Sequence, residues 1–236
     1  MTSMQDLSLK PSESVVLDDL LRRLPELAVC ADDIRAAYSV IRECYRSGGK
    51  LLLCGNGGSA SDADHWAGEL LKGFKLRRPL SREQRTGLSS DVAGKLQGGL
   101  PAIPLTGFPA LATAFANDVD GDLCFAQLTH ILGNRGDVWI GLSTSGNARN
   151  VCAAARVARA RGLSVLGLSG ASGGNLAPLC DHCIRVPSAE TFRVQEYHLP
   201  IYHCISLMLE EEFFGEPAHL LRMICGTSAN GSLHSK

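Results

Sequence analysis

Two apolar runs in this chain each end in a polar, glycine-containing turn and are followed by a helical pattern. Residues 50–54 (KLLLC) lead into 55–59 (GNGGS), and residues 137–142 (DVWIGL) lead into 143–147 (STSGN). An apolar strand, a tight turn and a helix form the repeating unit of parallel α/β sheets. In such sheets ligands bind at the carboxyl ends of the strands, where both of these turns would lie.

Three further apolar runs predict strands at residues 102–105, 163–168 and 182–186. The first is the weakest, because Pro104 removes a hydrogen-bond donor from the ladder. Strands that alternate with helices through short loops favour a parallel sheet with helices on both faces. The fold class predicted from these patterns is therefore α/β.

Helices are predicted at both ends of the chain. Leucines at helical spacing indicate an N-terminal helix over residues 17–24, which Pro25 interrupts, and a second helix from about Asp32 to the glycines at 48–49. A long helix is predicted from Glu190 to Phe214.

We predict one domain, residues 14–214, between a flexible lead-in at 1–13 and a flexible tail at 215–236. Residues 75–100 separate a helix from the next strand by more than a compact connection needs. We expect this insertion to form a mobile loop or small lid over the ligand face.

Charge and cysteine content narrow the function classes. Lys and Arg total 23 against 24 Asp and Glu, so the net charge of −1 indicates neither a nucleic-acid partner nor a membrane partner. The cysteine count, nine, is odd, and four of the cysteines stand in apolar runs where they read as small buried hydrophobes: Cys54, Cys124, Cys152 and Cys204. With no signal peptide at the start, these features predict a cytoplasmic protein.

Both polar turns could hold a phosphate group. Glycines at 55–58 allow backbone amides at a helix N-terminus to approach an anion, although a purely structural turn is equally consistent with them. No Gly-Lys-Ser/Thr follows, so this is not a nucleotide P-loop. The three hydroxyls at 143–145 favour oxyanion binding more strongly, and we expect one of them to cap the following helix.

Ionisable residues cluster on two predicted helices. His65 and Glu69 are four residues apart and share a helix face, which is also common as surface decoration. The long C-terminal helix carries Gln195, His198 and His203 among apolar neighbours, so one of these histidines could simply be a buried core residue. The pair Cys180 and Cys183 lacks the second pair that a structural zinc site needs.

At these motifs the sequence resembles the sugar isomerase (SIS) family and, within it, the phosphoheptose isomerases. The matching segments occur in order along the chain, at residues 55–59 (GNGGS), 65–69 (HWAGE), 117–118 (ND), 143–147 (STSGN) and 193–198 (RVQEYH), with His203 beyond them. The resemblance implies a three-layer, flavodoxin-like SIS domain with a five-stranded parallel sheet, N-terminal helices and a long C-terminal helix. It also implies a homotetramer that converts sedoheptulose 7-phosphate into D-glycero-D-manno-heptose 7-phosphate.

The resemblance also implies roles for individual residues. Glu69 and His203 match the catalytic pair, and the positions that bind zinc in some family members match His65, Glu69, Gln195 and His203. The substrate contacts of the family match Asn56, Gly57, Gly58, Glu69, Asn117, Asp118, Ser143, Thr144, Ser145 and Gln195. One phosphate-contacting serine of the family is replaced by Ala148, and the 75–100 insertion departs from the usual pattern.

The chemistry of these residues suits aldose–ketose isomerisation, which needs one base at carbon and an acid/base between two oxygens. Two other classes stay open: a non-catalytic SIS protein of the type that associates with the bacterial replication initiator, and an SIS enzyme for a different sugar phosphate. The first lacks the acid/base pair, so the presence of both Glu69 and His203 favours an enzyme.

Spacing along the C-terminal helix bears on the metal site. Gln195 and His203 are eight residues apart, about 12 Å along a continuous helix, which is too far for both to reach one ion. Either a neighbouring copy supplies one of them, the helix is broken, or His198 replaces one. We favour the first, and therefore predict active sites shared between the subunits of a homotetramer.

Overall fold

The computed structural model describes residues 9–215, and these contain one five-stranded sheet in which every strand pairing is parallel. The strands, in their spatial order, are β2 (Ala102–Pro104), β1 (Leu51–Cys54), β3 (Val138–Ser143), β4 (Ser164–Ser169) and β5 (His182–Arg185). This is the flavodoxin-like strand order. The predicted α/β class and five-stranded parallel sheet are confirmed, and the strand that contains Pro104 lies at an edge, where a missing donor costs least.

Eight α-helices surround the sheet in this part of the chain. They are α1 (Pro11–Arg23), α2 (Ala31–Arg46), α3 (Gly58–Leu71), α4 (Ser90–Ala93), α5 (Pro109–Asp118), α6 (Cys124–Leu132), α7 (Arg149–Ala160) and α8 (Thr191–Phe214). A short 3-10 helix, Pro25–Cys30, separates α1 from α2 where Pro25 was expected to interrupt. The sequence patterns did not predict α5 and α6.

Alternating side chains of the central strands divide the core between the two faces of the sheet. Leu51 and Leu53 join α1, α2, α3 and α8 on one face, whereas Leu52 and Cys54 join α6 and α7 on the other. The four cysteines expected to be buried are buried, and Cys180 and Cys183 are half-buried free thiols. None of the helices within residues 9–215 is both long and apolar enough to cross a membrane.

The ends of the predicted domain fall at the limits of the described residues. Helix α1 begins at Pro11, inside the segment predicted as a flexible lead-in, and the side chain of Glu13 is fully buried. Residues 1–8, the rest of that predicted lead-in, lie outside the described residues. So do residues 216–236, which make up nearly all of the predicted tail.

A buried ion pair anchors the base of the 75–100 insertion. Arg78 of the insertion and Glu210 of α8 are both almost fully buried, and the Arg78 Nε lies 2.9 Å from the Glu210 Oε1. The same carboxylate accepts hydrogen bonds from the backbone amides of Phe74, Lys75 and Leu76 at 2.8–3.0 Å. A β-bridge between Pro79 and Gln97 then closes the base of the insertion.

This anchoring fixes where the insertion leaves the domain, and the expected lid stays a prediction. Helix α3 starts at the carboxyl end of β1 and runs back along the sheet, so its last residues lie at the opposite edge from the two polar turns. The backbone amide of Leu100, just before β2, donates to the carbonyl of Leu70 there. The insertion therefore leaves the domain at the far end of α3 from the turns, and it borders His203 through Phe74, whose ring centroid is 5.2 Å from the imidazole centroid.

We expect Glu210→Ala to lower the free energy of unfolding by about 3–5 kcal/mol, because it leaves the Arg78 guanidinium buried without its counter-ion. The exposed ion pair between Arg193 and Glu196 provides the matched control. Glu196→Ala should cost less than about 1 kcal/mol. Urea denaturation of both variants measures the difference, and equal losses would contradict the structural role of the buried pair.

Candidate active site and metal centre

The first polar turn connects β1 to α3 and leaves its glycine backbone open. Gly57 has a φ of 56°, a backbone conformation that residues other than glycine rarely adopt. A Cβ atom at Gly58 would lie 2.5 Å from the Nε2 of Gln195, so the glutamine packs directly over this turn. The turn thus combines free backbone at a helix N-terminus with an amide side chain contributed by α8.

Asn56 in this turn is held by a partner that the sequence patterns missed. The side-chain amides of Asn56 and Asn150 exchange two hydrogen bonds, each of 2.8 Å. Asn150 is the second residue of α7, so this pair connects the first turn to the helix that follows the second turn. No sequence signal links the two residues, which are 94 positions apart.

The second polar turn follows β3, the neighbour of β1, so both turns lie at the same edge of the sheet. Ser143 is buried at the end of the strand, and its carbonyl accepts hydrogen bonds from the Gly146 amide and the Ser169 hydroxyl. Ser145 is exposed, and its Oγ accepts a hydrogen bond of 3.1 Å from the Asn147 amide. Gly146 has a φ of 68°, and any Cβ there would overlap the Gly173 carbonyl.

The expectation that one of the three hydroxyls caps the following helix is wrong. The N-cap residue of α7 is Ala148, and no side chain caps this helix. The hydroxyls at 143–145 come several residues before α7 begins, so none of them stands at the N-cap position. A serine at position 148 would stand at the N-cap, so the alanine that is present leaves this cap without a side-chain acceptor.

A cavity of about 360 Å³ opens beside the first turn. Its lining includes Asn56, Gly57, Asn150 and Ala116, the residue before Asn117. Asn117 and Asp118 are exposed at the end of α5, and the Asn117 Nδ2 donates to the Asp118 Oδ1 at 2.7 Å. Asn56 and Gly57 therefore line this cavity, whereas Asn117 and Asp118 directly follow one of its lining residues.

His65, Glu69 and His203 converge within a single chain. One potential ligand atom from each residue lies within 4.8 Å of the other two. The His65 Nε2 is 3.1 Å from the Glu69 Oε1, and the two imidazole centroids are 5.1 Å apart. The i, i+4 spacing on α3 places the first two together, and the packing of α3 against α8 brings His203 to them.

The donor atoms of this cluster fit a metal ion. Burial lowers the pKa of His203, the nearby His65 lowers it further and Glu69 partly offsets both, so the imidazole is kept neutral with a free lone pair. The Glu69 Oε2 and the His203 Nε2 are buried without a hydrogen-bond partner among the described residues, and the Lys72 Nζ is 3.8 Å from that Oε2. Two imidazoles and a carboxylate are a common ligand set for zinc.

The fourth residue of the predicted metal set, Gln195, lies elsewhere in the same chain. It contacts Gly58 at the start of α3, whereas His203 contacts His65 two turns further along. Two of the three alternatives for Gln195 are wrong. Helix α8 is continuous from Thr191 to Phe214 despite Pro200. His198 is fully buried in the core and is not part of the cluster.

The comparisons agree with this fold and with the motifs of the site. Residues 17–95 and 115–209 match models of the SIS domain, and the chain belongs to the SIS domain family. The phosphoheptose isomerase of Aneurinibacillus thermoaerophilus is 39% identical over 207 residues, which cover 88% of this chain and 90% of the relative.

Two solved structures of phosphoheptose isomerases are also similar. The enzyme from Francisella tularensis aligns with a TM-score of 0.68 and 30% identity over 89% of this chain and all of that one. The enzyme from Neisseria gonorrhoeae aligns with a TM-score of 0.64 and 32% identity over 80% of this chain and 91% of that one. Within the SIS domain family, the chain therefore belongs to the phosphoheptose isomerases, a family of enzymes.

The buried His198 predicts an acid-sensitive stability. Burial lowers its pKa from 6.5 to about 4, an effect that the Ser169 backbone offsets only in part. Between these two values the unfolded chain binds a proton that the folded protein does not. The free energy of unfolding therefore decreases by about 3 kcal/mol as the pH is lowered through that range. We expect His198→Leu to flatten the pH dependence of urea denaturation.

The exposed His130 supplies the control for this measurement. His130→Gln should keep the pH dependence of the unaltered protein. If both variants followed the same pH curve, burial of His198 would not be the cause.

Proposed function

We propose that this protein converts sedoheptulose 7-phosphate into D-glycero-D-manno-heptose 7-phosphate in the cytoplasm. One observation carries the proposal: the Glu69 carboxylate lies next to the neutral His203 imidazole. Glu69 belongs to α3, the helix that begins at the glycine turn. The identity to phosphoheptose isomerases over most of the chain supports the choice of substrate.

The two polar turns would hold the phosphorylated end of the substrate. Ser143, Thr144 and Ser145 offer hydroxyls and amides at the end of β3, and the glycine turn offers amides at the N-terminus of α3, where a helix favours an anion. Substrate hydroxyls would contact residues around the adjoining cavity and on the helices near it, namely Asn56, Gly57, Gly58, Asn117, Asp118 and Gln195.

Glu69 and His203 would carry the protons of the reaction. The carboxylate removes a proton from C1 of the ketose and returns one to C2 of the enediol, which yields the aldose. The imidazole moves protons between O1 and O2, a task for which a neutral ring that can both accept and donate is suited. Each proton taken up in the first half of the reaction is released in the second.

His65 and Glu69 would hold zinc, and His203 would complete the ligand set in a state in which it does not shuttle protons, since its one acceptor nitrogen cannot do both at once. A bound zinc ion supplies Lewis-acid stabilisation of the negative oxygen that develops during enolisation. Glu69 has two separate oxygens for its two roles. Its Oε1 faces His65, and its Oε2 makes no hydrogen bond among the described residues, so the carboxylate can bind an ion and still accept a proton.

A non-catalytic SIS protein and an isomerase for another sugar phosphate are the alternatives. The clustering of Glu69 with His203 favours an enzyme over a binding protein, since binding alone requires no acid/base pair. Incubation with a panel of ketose phosphates and identification of the products by NMR separates all three.

Glu69→Gln should lower kcat on sedoheptulose 7-phosphate by about 10²–10⁴-fold, because the amide keeps the shape of the side chain but cannot accept the proton. The assay follows the aldose product by NMR. Glu43→Gln, the same change at an exposed position of α2, serves as a control that should retain full activity. Activity of Glu69→Gln near that of the control would exclude Glu69 as the base.

Ser145→Ala distinguishes phosphate binding from catalysis in the same assay. Loss of one hydrogen bond costs about 0.5–1.5 kcal/mol, so KM should rise by up to about tenfold while kcat stays unchanged. Thermal stability without ligand should also change little, because Ser145 is exposed and does not cap α7. A loss of kcat as large as that of Glu69→Gln would contradict a role confined to binding.

We further propose a homotetramer in which a neighbouring copy presents Gln195 to the metal cluster. Phe192 and Leu199 are large exposed apolar residues of α8, and a groove of about 350 Å³ between α1 and α8 reaches His203. An apolar helix face of this kind is buried by packing against another helix.

Co-expression of differently tagged Glu69→Gln and Gln195→Ala chains tests the shared site. Each variant alone should be inactive, whereas purified mixed assemblies contain sites with both native residues and should regain activity. Mixed assemblies as inactive as the separate variants would show that each chain supplies its own Gln195, and a monomeric mass in sedimentation equilibrium would exclude the assembly itself.

A further inference from the structure

The hydroxyl group of Tyr202 lies between the metal cluster and a second carboxylate. It is 2.8 Å from the Nδ1 of His65 and 3.4 Å from the Oδ1 of Asp62. The opposite ring nitrogen of His65, Nε2, faces Glu69 at 3.1 Å. His65 therefore stands between a hydroxyl on one side and the cluster on the other, and Asp62 lies behind the hydroxyl.

Tyr202 is held rigidly in this position. Its side chain is fully buried, and its ring stacks on Trp66 with a centroid separation of 5.6 Å and an interplanar angle of 19°. The ring also meets the edge of His65 at 5.5 Å. Because the ring cannot move without disrupting this packing, the hydroxyl can change its hydrogen-bond role only by rotating its proton.

The proton on His65 must move when a cation binds. Without a cation, Nε2–H can donate to Glu69 while Nδ1 accepts from the Tyr202 hydroxyl. A cation needs the lone pair of Nε2, so the proton must then lie on Nδ1 and requires an acceptor. The Tyr202 oxygen supplies that acceptor, and the hydroxyl proton turns toward Asp62.

The distances leave the Tyr202 hydroxyl free to take either hydrogen-bond role. The contact of 2.8 Å to Nδ1 is a normal hydrogen bond, whereas 3.4 Å to Asp62 is long for a hydroxyl donor. The Asp62 Oδ2 also has no hydrogen-bond partner among the described residues, so the carboxylate has acceptor capacity in reserve.

We infer that Tyr202 and Asp62 are positioning residues that select the metal-binding tautomer of His65. The inference rests on the proposed metal centre but not on the identity of the sugar substrate. Metal-ligating histidines commonly give their second N–H to such a partner, and loss of the partner typically weakens metal affinity about 10–100-fold.

Zinc affinity, measured by competition with a chelating dye, tests the inference without using activity. We expect Tyr202→Phe to bind Zn²⁺ about 10–100-fold more weakly than the unaltered protein. Tyr45→Phe is the matched control, because it also removes a buried hydroxyl and its hydrogen bond, to the Pro101 carbonyl, away from the cluster. Asp62→Ala should weaken binding, and Asp62→Asn, which keeps an acceptor oxygen, should restore most of it.

Nitrogen-15 NMR of the histidine side chains supplies a second readout. In the unaltered protein the His65 proton should lie on Nε2 without zinc and on Nδ1 with zinc. Tyr202→Phe should lose this preference, whereas Tyr45→Phe should retain it. Equal zinc affinity of the two phenylalanine variants, failure of the unaltered protein to bind zinc, or an unchanged tautomer on zinc binding would each overturn the inference.

A parallel assay of the unaltered protein with sedoheptulose 7-phosphate separates this inference from the proposed function. Turnover together with equal zinc affinity of the two phenylalanine variants would leave the function standing and remove the inference. Weakened zinc binding by Tyr202→Phe without turnover by the unaltered protein would support the inference and remove the proposed substrate.

Discussion

The parallel packing of α3 against α8 determines the geometry of the whole site. Three contacts follow one another along the two helices: Gly58 with Gln195, His65 with His203, and the end of α3 with Glu210 through Arg78. The two steps advance by seven and five residues along α3 and by eight and seven residues along α8, which is between one and about two turns each. A rotation or slip of either helix would therefore disturb the glycine turn, the metal cluster and the base of the insertion together.

The sequence could predict the sheet because buried parallel strands are nearly continuous apolar runs between polar turns, as at residues 51–54 and 138–143. The helices α5 and α6 were missed because α5 has no buried face and α6 is short, so neither shows a strong apolar period. The anchoring of the insertion could not be predicted because a length excess does not indicate at which end of a helix a segment leaves the domain, and its role as a lid stays a prediction.

The site was predictable to the extent that its residues lie close together in the sequence. Spacing alone placed His65 with Glu69, but His203 entered through the resemblance to a known family. Asn150 and Tyr202 could not be found in this way, because their partners are 94 and 137 residues distant. The same limitation explains the error over the cap of α7, since the number of hydroxyls in a turn does not indicate where the helix begins.

The clamped base of the insertion has a consequence for how this chain can vary. Because Glu210 and the bridge between Pro79 and Gln97 hold both ends, the segment between them is a closed loop whose length is thermodynamically inexpensive to change. Doubling such a loop costs only about 0.6 kcal/mol of closure entropy. The exposed residues 81–92 thus offer an attachment point for a fluorophore, an affinity peptide or a surface tether that is outside the candidate active site.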